Sequence, residues 1–368
     1  MKLLIINPGS TSTKISLYDE DTVLLEKSIF HDAPELLVYP TVNDQIPFRM
    51  SVMEQALAED GFSFQDVDVF VGRGGSAVPC SSGVMPINEK LYADTRDAVG
   101  GSEHPAKLGV MMAYELGKQY GKPAYTLNPT NVDELIEEAR LTGIAGLYRN
   151  AQSHVLNQKA VASYHAERMG RKYEDCDFIV CHIDGGITVN AHRRGRMIDG
   201  NVGSGGDGAY TPTRIGSVPV LKLLDYIDEH GTEEVRLMCS RAGGFVSHFG
   251  TSNAAVIHQR MEEGDARAAI VWKSMVYQII KQIGAMAAVL QGRAEAILLT
   301  GGLVIYDDLV QQIKDSCGWI APVFVYPGER EQEALAKETL KVLRHETEAR
   351  EYTGIPAWQG FPFDREKS

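Results

Sequence analysis

The chain has 368 residues, of which 44% are hydrophobic and 23% charged, a composition typical of a globular protein long enough for two domains. The net charge of −13, without any block of Lys or Arg, argues against a nucleic-acid partner. No apolar run has the length of a membrane span, and the start of the chain lacks a signal peptide, so we expect a cytoplasmic protein without a membrane partner. The five cysteines form no CxxC pair, which predicts reduced thiols.

Residues 3–17 predict a strand, a small polar loop and a second strand. An apolar run at 3–6 precedes the loop, and residues 15–18 alternate with period two. The loop between them contains Asn7, Gly9, Ser10, Ser12 and Lys14, a set of small and polar groups that suits a phosphate chain. Asn-Pro and Pro-Gly are also ordinary turn formers, so a plain turn remains an alternative here.

The first half continues with a strand at 22–28, a helix at 47–59 and a buried strand at 67–71 that runs into Gly72-Arg73-Gly74-Gly75. Glycines let a backbone approach a ligand while a guanidinium grips an anion, although an arginine extending from a strand end is the alternative. Pro105 and Gly121 bracket a helix, with His104 at its mouth and a strand at 123–127 after it. Helices are predicted at 132–141 and 153–168, the second carrying His154 in its first turn, in either a structural or a catalytic role.

The second half repeats the opening pattern. A strand at 178–183 ends in Asp184-Gly185-Gly186, and strands at 187–192 and 196–199 follow. Two such loops could hold the two ends of one phosphate chain, so the repeat favours phosphate binding over plain turns. The restart of the strand pattern places a domain boundary near Asn150.

The remainder predicts a Gly-rich segment at 203–208 leading to Arg214, a helix at 218–229, a turn at 249–253 and a long core helix at 266–291. A strand at 296–299 delivers Thr300-Gly301-Gly302, a third candidate nucleotide loop. A helix at 307–317, a strand at 321–326, a charged helix to about 350 and an aromatic tail from 354 complete the chain, and we expect the tail to pack on its own chain. Neither GxxxxGK[ST] nor GxGxxG occurs in a fitting context, which disfavours P-loop and Rossmann sites.

The motifs INPGSTSTK, VGRGG, HVLNQKAVA, HIDGGITV, IGAMAAVL, LTGG and APVFVYPGE resemble the acetokinase family, and most closely its butyrate kinases. The resemblance covers residues 3 to about 352 and places the chain in the fold of sugar kinases, Hsp70 and actin. It implies an α/β chain of two duplicated ribonuclease-H-like domains, each a mixed sheet flanked by helices, with an active-site cleft between them. The domains would be residues 1–150 with a C-terminal helix at about 332–368, and residues 151–331 with the nucleotide site.

The resemblance implies reversible, Mg²⁺-dependent transfer of the γ-phosphoryl group of ATP to a short fatty-acid carboxylate, giving an acyl phosphate and ADP. Such a carboxylate is already ionised at neutral pH, so the site must neutralise charge rather than supply a base. The implied catalytic residues are Arg73, Arg214 and His154, the last as an imidazolium aimed at the equatorial oxygens. The implied cofactor-binding residues are Asn7, Ser10, Ser12, His182, Asp184, Gly185, Gly186, Gly301 and Gly302, with Glu331 linked to Mg²⁺ through water.

Three departures from the family pattern leave alternatives open. Asn128 stands where the family has an aspartate, Ser153 replaces the Phe before the histidine, and Asn253 and Ala255 replace an Asp and an Arg of the adenosine segment. Asn128 and Asn253 are therefore doubtful site residues. A catalytically weakened or non-catalytic nucleotide-binding protein, or a kinase for another acyl chain, is the alternative to a butyrate kinase. We expect a homo-oligomer, a dimer or larger.

Overall fold

The computed structural model describes residues 1–75, 77–101 and 104–367. Its contacts divide the chain into two units, Met1–Asp133 with Arg330–Ser368 (unit 1) and Glu134–Glu329 (unit 2). The first division falls earlier than the predicted boundary near Asn150, because residues after Asp133 already bind unit 2. Ile136 N donates to Ile198 O at 3.0 Å, and Glu134 pairs with Lys159 at 2.9 Å.

The described residues form two sheets. Their strands are β1 Lys2–Pro8, β2 Ser12–Asp19, β3 Thr22–Phe30, β4 Val69–Gly72, β5 Val84–Pro86, β6 Ala124–Leu127, β7 Asp177–Ile183, β8 Ile187–Arg193, β9 Arg196–Gly200, β10 Ala296–Gly301 and β11 Val323–Pro327.

The α-helices of the described residues alternate with these strands along the chain. They are α1 Ala33–Leu37, α2 Ile46–Ala58, α3 Glu89–Arg96, α4 Lys107–Tyr120, α5 Val155–Arg168, α6 Val220–His230, α7 Thr232–Leu237, α8 Phe245–Phe249, α9 Ala254–Glu262, α10 Ala266–Val289, α11 Asp307–Cys317 and α12 Glu331–Leu343. None of them combines the length and apolar character that crossing a membrane requires.

Unit 1 is built on a mixed sheet with strand order β3-β2-β1-β4-β6-β5. The antiparallel β1–β2–β3 meander begins it, and β4 and β6 add in parallel. The run Leu3, Leu4, Ile5 and Ile6 is fully buried, as a strand covered on both faces requires. In this sheet Ile6 pairs with Gly72, so the polar residues after β1 and β4 emerge at the same edge.

Unit 2 repeats this arrangement in the order β11-β10-β7-β8-β9. Its antiparallel meander is β7–β8–β9, and β10 and β11 add in parallel. The stripe predicted on α10 is core: Trp272, Met275, Ile279 and Ile283 are fully buried. The predicted duplication of a mixed sheet with flanking helices is confirmed.

Two local predictions were wrong and one helix was missed. The helix predicted at 132–141 is only a 3-10 turn at Glu137–Ala139, because Asp133 N donates instead to Cys80 O and Ile136 N to Ile198 O. The turn predicted at 249–253 connects α8 to α9, a helix that was not predicted and for which Asn253 is the N-cap. The C-terminal helix ends at Leu343, and the chain after it is irregular up to a 3-10 turn at Pro362–Lys367.

The chain after α12, including the aromatic tail, packs on its own unit: in the tail, Ala357 N donates to Pro79 O at 2.9 Å and Phe361 is 5% exposed. Tyr352 is 3% exposed, its hydroxyl donates to Asp94 at 2.8 Å, and Asn88 donates to its carbonyl at 2.9 Å. Arg350 N also donates to Val84 O, at the start of β5. The tail therefore contributes to the stability of unit 1.

Candidate functional site

In unit 1, three of the predicted site residues are in direct contact. Asn7 in β1 donates through Nδ2 to Oε2 of Glu331 at 2.8 Å and accepts through Oδ1 from Nη1 of Arg73 at 3.3 Å. Nη2 of Arg73 lies 3.2 Å from Oε1 of Glu331. Asn7 and Glu331 are 3% and 2% exposed, so the amide and the carboxylate form a buried support for the guanidinium.

Two glycines fix the position of Arg73. A Cβ at Gly72 would overlap the backbone of Gly109 and would lie 2.8 Å from Val110 N. A Cβ at Gly109 would in turn lie 2.8 Å from Arg73 N. The first turn of α4 therefore packs directly on the end of β4, and Arg73 N donates to Ile6 O at 2.9 Å. Gly72 serves this packing rather than the approach of a ligand.

The first predicted phosphate loop is supported from beneath by Arg49, which sequence reasoning missed. The turn is closed by Gly9 N donating to Ser12 O at 2.8 Å, and Ser10 is exposed at its tip. Arg49 is 0% exposed and donates to Ser12 O at 3.0 Å, Oγ1 of Thr13 at 2.9 Å and Oε1 of Gln45. Burial lowers the pKa of Arg49 to about 10. All its hydrogen-bond acceptors are neutral, so a positive charge remains under the loop.

In unit 2, His154, Arg214 and Gly186 come together. A Cβ added at Gly186 would lie 3.0 Å from Cζ of Arg214, closer still to its Nη1, and 3.1 Å from Cε1 of His154. His154 is the N-cap residue of α5 rather than part of its first turn, and its carbonyl accepts from Gln158 N at 3.0 Å. With any other residue at 186, at least one of these two side chains would have to move.

Arg214 is held by its own loop. Its backbone N donates to Oγ1 of Thr211 at 3.0 Å, whose hydroxyl donates to Gly185 O at 2.7 Å, and its Nη1 donates to Gly203 O. Burial lowers the pKa of this guanidinium. Within the part of the chain that the structure describes, its Nε is buried without a hydrogen-bond partner and no carboxylate pairs with it. Arg73 has a similarly buried Nε that meets no acceptor among the described residues.

His182 stacks on His154. The two imidazole centroids lie 3.9 Å apart with an interplanar angle of 15°. Nδ1 of His154 lies 2.9 Å from Oγ1 of Thr188, and Nδ1 of His182 lies 2.9 Å from Nδ2 of Asn157. The sequence tract HVLNQKAVA contained a signal for this cluster, since adjacent amides on a helix beside a candidate histidine suggest a buried polar network.

The Asp184 carboxylate joins two of the predicted nucleotide loops. Its Oδ1 accepts from Gly185 N and its Oδ2 from Gly302 N, both at 2.7 Å. Gly301 has φ of 102°, and a Cβ there would lie 2.8 Å from the carbonyl carbon of Ile183, so this position requires glycine. His182, Asp184 and Glu329 each offer one ligand atom within 4.8 Å of the others, the spacing of a group that could hold a metal ion.

The residues that depart from the family pattern have structural partners. Asn128 has φ of 43°, a left-handed conformation that Asn tolerates, and its Oδ1 accepts from Gly83 N at 2.8 Å. Asn253 is the N-cap of α9, where its Oδ1 accepts from Ala255 N at 3.0 Å. Ser153 does not leave a loose position, because its hydroxyl donates to Oδ1 of Asn190 at 2.8 Å.

The structure thus brings the predicted residues together in two groups, one in each unit. Asn7, Arg73 and Glu331 form one group, and His154, His182, Asp184, Gly186, Arg214 and Gly302 form the other. Asn253 caps an exposed helix and joins neither group through a described contact.

The described fold, a duplicated mixed sheet flanked by helices, is shared with solved acetate and propionate kinases. The chain is similar to acetate kinase from Porphyromonas gingivalis at 18% identity, with 93% of this chain and 99% of that chain covered and a TM-score of 0.77. It is similar to acetate kinase from Entamoeba histolytica at 16% identity, with 92% and 98% covered and a TM-score of 0.73. A propionate kinase from Francisella tularensis matches at 14% identity, with 92% and 98% covered and a TM-score of 0.68.

A match in sequence adds to this likeness in fold. Residues 146–315 match the model of the Acetokinase family, a segment that lies inside unit 2 and contains His154, Asp184 and Arg214. Within this segment the match supports the resemblance to acetokinases inferred from the motifs.

Proposed function

We propose that this protein is a carboxylate kinase, which transfers the γ-phosphoryl group of ATP reversibly to a short-chain fatty-acid carboxylate, butyrate or a close relative. One observation carries the proposal: the half-buried guanidinium of Arg214 lies beside His154, and its buried Nε meets no acceptor among the described residues. A partly buried cation with an unpaired donor is stabilised when an anion binds it. The fold and the Acetokinase match over residues 146–315 make a transferring phosphoryl group the fitting anion.

The chemistry needs charge neutralisation more than a base. A fatty acid with a pKa of about 4 to 5 is ionised at neutral pH and is already a nucleophile. In-line phosphoryl transfer brings this carboxylate to the negative γ-phosphate, so catalysis rests on positioning and on positive groups. Arg73 would bind the carboxylate, Arg214 the transferring group, and His154 would donate a hydrogen bond to its equatorial oxygens.

The nucleotide would be bound by the three loops predicted from the sequence. Ser10 and Ser12 beside Asn7 form the first loop, above the buried charge of Arg49. Asp184, Gly185 and Gly186 with His182 form the second, and Gly301 and Gly302 would pack on the adenosine. We propose that these loops bind the phosphates and the adenosine of ATP.

Magnesium would accompany ATP, and the chain offers suitable oxygen ligands. Asp184 and Glu329 lie close enough to share one ion, and carboxylate oxygens are what Mg²⁺ prefers. Glu331 is already held by Asn7 and Arg73, which favours a link through water over direct ligation. When bound, the ion would neutralise charge on the phosphates.

A non-catalytic nucleotide-binding protein is the second candidate. The Asp184 carboxylate accepts a hydrogen bond from Gly302 N, a donor that the proposed adenosine loop would otherwise offer to the nucleotide. Asn128 and Asn253 have hydrogen-bond partners within the protein. This candidate predicts that ADP binds without turnover of any acid.

The test is an acyl-phosphate assay with hydroxylamine trapping, using ATP, Mg²⁺ and straight and branched acids of two to five carbons. A butyrate kinase gives its highest kcat/KM with acids of four carbons. Arg214→Ala should lower kcat/KM at least about 100-fold, because it removes the charge that binds the transferring group. The exposed Arg241→Ala is the matched control and should behave as the wild type.

Blank rates with every acid, together with ADP binding in a calorimeter, would favour the second candidate. A cytoplasmic location and a homo-oligomeric state are further parts of the proposal, and light scattering of the purified protein tests the latter.

A further inference from the structure

Two adjacent amides of α5, Asn157 and Gln158, face a row of polar residues on the sheet of unit 2. In this row Thr188 pairs with His182 across β8 and β7, and His182 pairs with Thr300 across β7 and β10. Both amides and both threonines are 0% exposed, and His182 is 2% exposed. Buried groups of this kind need a complete set of hydrogen bonds, so the direction of each bond can be deduced.

The bonds of Gln158 determine where His154 carries its proton. Nε2 of Gln158 lies 3.1 Å from the carbonyl oxygen of Thr188, which can only accept, so the amide orientation is fixed. The same Nε2, which has two protons for three acceptors, also lies 2.7 Å from Oγ1 of Thr188 and 2.9 Å from Oδ1 of Asn190. Because Nε2 can only donate, Nδ1 of His154 is the described partner that can accept the proton of the buried Thr188 hydroxyl. In neutral His154 the ring proton is then on Nε2.

The opposite end of Gln158 supports this orientation. Its Oε1 accepts from Nε2 of His192 at 3.0 Å, and Nδ1 of His192 lies 2.6 Å from the Tyr173 hydroxyl, which donates to it. Burial holds the pKa of His192 well below 6.5 and raises that of Tyr173 well above 10, so both groups are neutral. The chain from Tyr173 to His154 is thus neutral and runs in one direction.

The hydrogen bonds of Asn157 determine which ring nitrogen of His182 carries the proton. The Thr300 hydroxyl donates to Gly328 O at 2.8 Å, so its oxygen accepts from Nδ2 of Asn157 at 3.2 Å. This places Nδ2, a donor, against Nδ1 of His182 at 2.9 Å. Nδ1 accepts this bond, and the ring proton of His182 is also on Nε2.

We propose, building on the carboxylate kinase function above, that Asn157 and Gln158 are positioning residues that hold the stacked His154 and His182 in the same tautomer. Each ring then presents Nε2–H as a donor to the phosphate chain while remaining neutral. A stack with a centroid separation of 3.9 Å also disfavours two imidazolium charges. Catalysis would use hydrogen bonds from neutral imidazole, in place of the imidazolium expected from the sequence, and His182 would act as a donor rather than a metal ligand.

Nitrogen-15 spectra of the full chain labelled at histidine test the proposal without any substrate. Loss of a signal in His154→Gln and His182→Gln assigns the two rings. In the wild type both should show a protonated Nε2 and an accepting Nδ1. Thr188→Val should change the tautomer of His154 alone, and Thr300→Val that of His182 alone, whereas the two serine variants should resemble the wild type. Thr339→Val, a fully buried threonine of unit 1, is the control for loss of a buried hydroxyl.

Kinetics give a second readout. Thr188→Val should lower kcat roughly three- to tenfold, the effect of one neutral hydrogen bond, with KM for the acid changed less than about twofold and with recovery in Thr188→Ser. A wild-type spectrum with the proton on Nδ1 of either ring would overturn the proposal, even if the valine variants do not fold. If the wild type gives the expected spectra but turns over no acid, the tautomer assignment is supported and the carboxylate kinase function is contradicted.

Discussion

Gly186 offers the sharpest test of the geometry in unit 2. In Gly186→Ala the new Cβ would lie 3.0 Å from Cζ of Arg214 and 3.1 Å from Cε1 of His154, where ordinary contact begins at 3.4 Å. Nη1 of Arg214 is closer still, so the guanidinium must move by several tenths of an ångström to about 1 Å, and a misplacement of that size costs up to about 100-fold in rate. We expect kcat/KM in the hydroxylamine assay to fall about 10- to 100-fold.

The same substitution should have little effect on folding. The end of a long side chain can shift, and the main loss is the bond from Nη1 to Gly203 O, worth about 1 kcal/mol. Gly143→Ala is the matched control, because nothing lies within 4 Å of a Cβ there and Gly143 belongs to none of the proposed loops. Urea unfolding should give nearly equal stability for the two variants. A folded Gly186→Ala enzyme within about threefold of the wild type, or equal impairment in Gly143→Ala, would refute the geometric reasoning.

Three further predictions concern stability, each measured by urea unfolding. Arg49→Lys should cost about 2–4 kcal/mol, because a single ammonium cannot replace the planar fork that binds the loop oxygens. His192 stays neutral in the fold while the unfolded chain takes up a proton near pH 6.5, so stability should fall as the pH drops below 6.5, by at most about 1.4 kcal/mol per unit, and His192→Gln should reduce this slope. Gly301→Ala should cost at least about 3 kcal/mol, because a clash adds to the strain of a positive φ.

Controls separate the named causes from general effects of substitution. The exposed Arg241→Lys should leave stability unchanged, so an equal loss there would contradict the role of Arg49. Gly264 also has positive φ, 90°, but nothing lies within 4 Å of its Cβ position, so Gly264→Ala should cost only about 1 kcal/mol. Equal losses at the two glycines would exclude the clash. A His192→Gln variant with the wild-type slope between pH 7.5 and 5.5 would exclude this histidine as the source.

The duplicated fold could be predicted because its signals are local. Apolar runs such as residues 3–6 end in small polar loops, and each half of the chain has the same order of strand, polar loop and strand. The end of α4 at Gly121 could also be predicted, because glycine is the usual residue at a helix C-cap. Its φ of 66° is the left-handed conformation typical of such a cap.

What could not be predicted depends on contacts distant in sequence. Arg49 lies in a helix whose exposed face would ordinarily hold a charge, and only the loop carbonyls above it explain its burial. Asn253 fits a turn and an N-cap equally well, so α9 was missed. The directions of the bonds at Thr188 and Thr300 follow from strand register, which periodicity does not fix.

The division of the chain has a consequence for its synthesis on the ribosome. Unit 1 is discontinuous: Arg73 emerges early, but its partner Glu331 and the rest of α12 follow only after all of unit 2. At about 5–20 residues per second, the nascent amino-terminal segment waits roughly ten seconds or more for its last helix. Unit 2, a continuous stretch, can fold before unit 1 is complete. Formation of the Arg73–Glu331 ion pair therefore marks a late step of biogenesis, and the sheet of unit 1 before α12 covers it is the stage most exposed to aggregation and to chaperones.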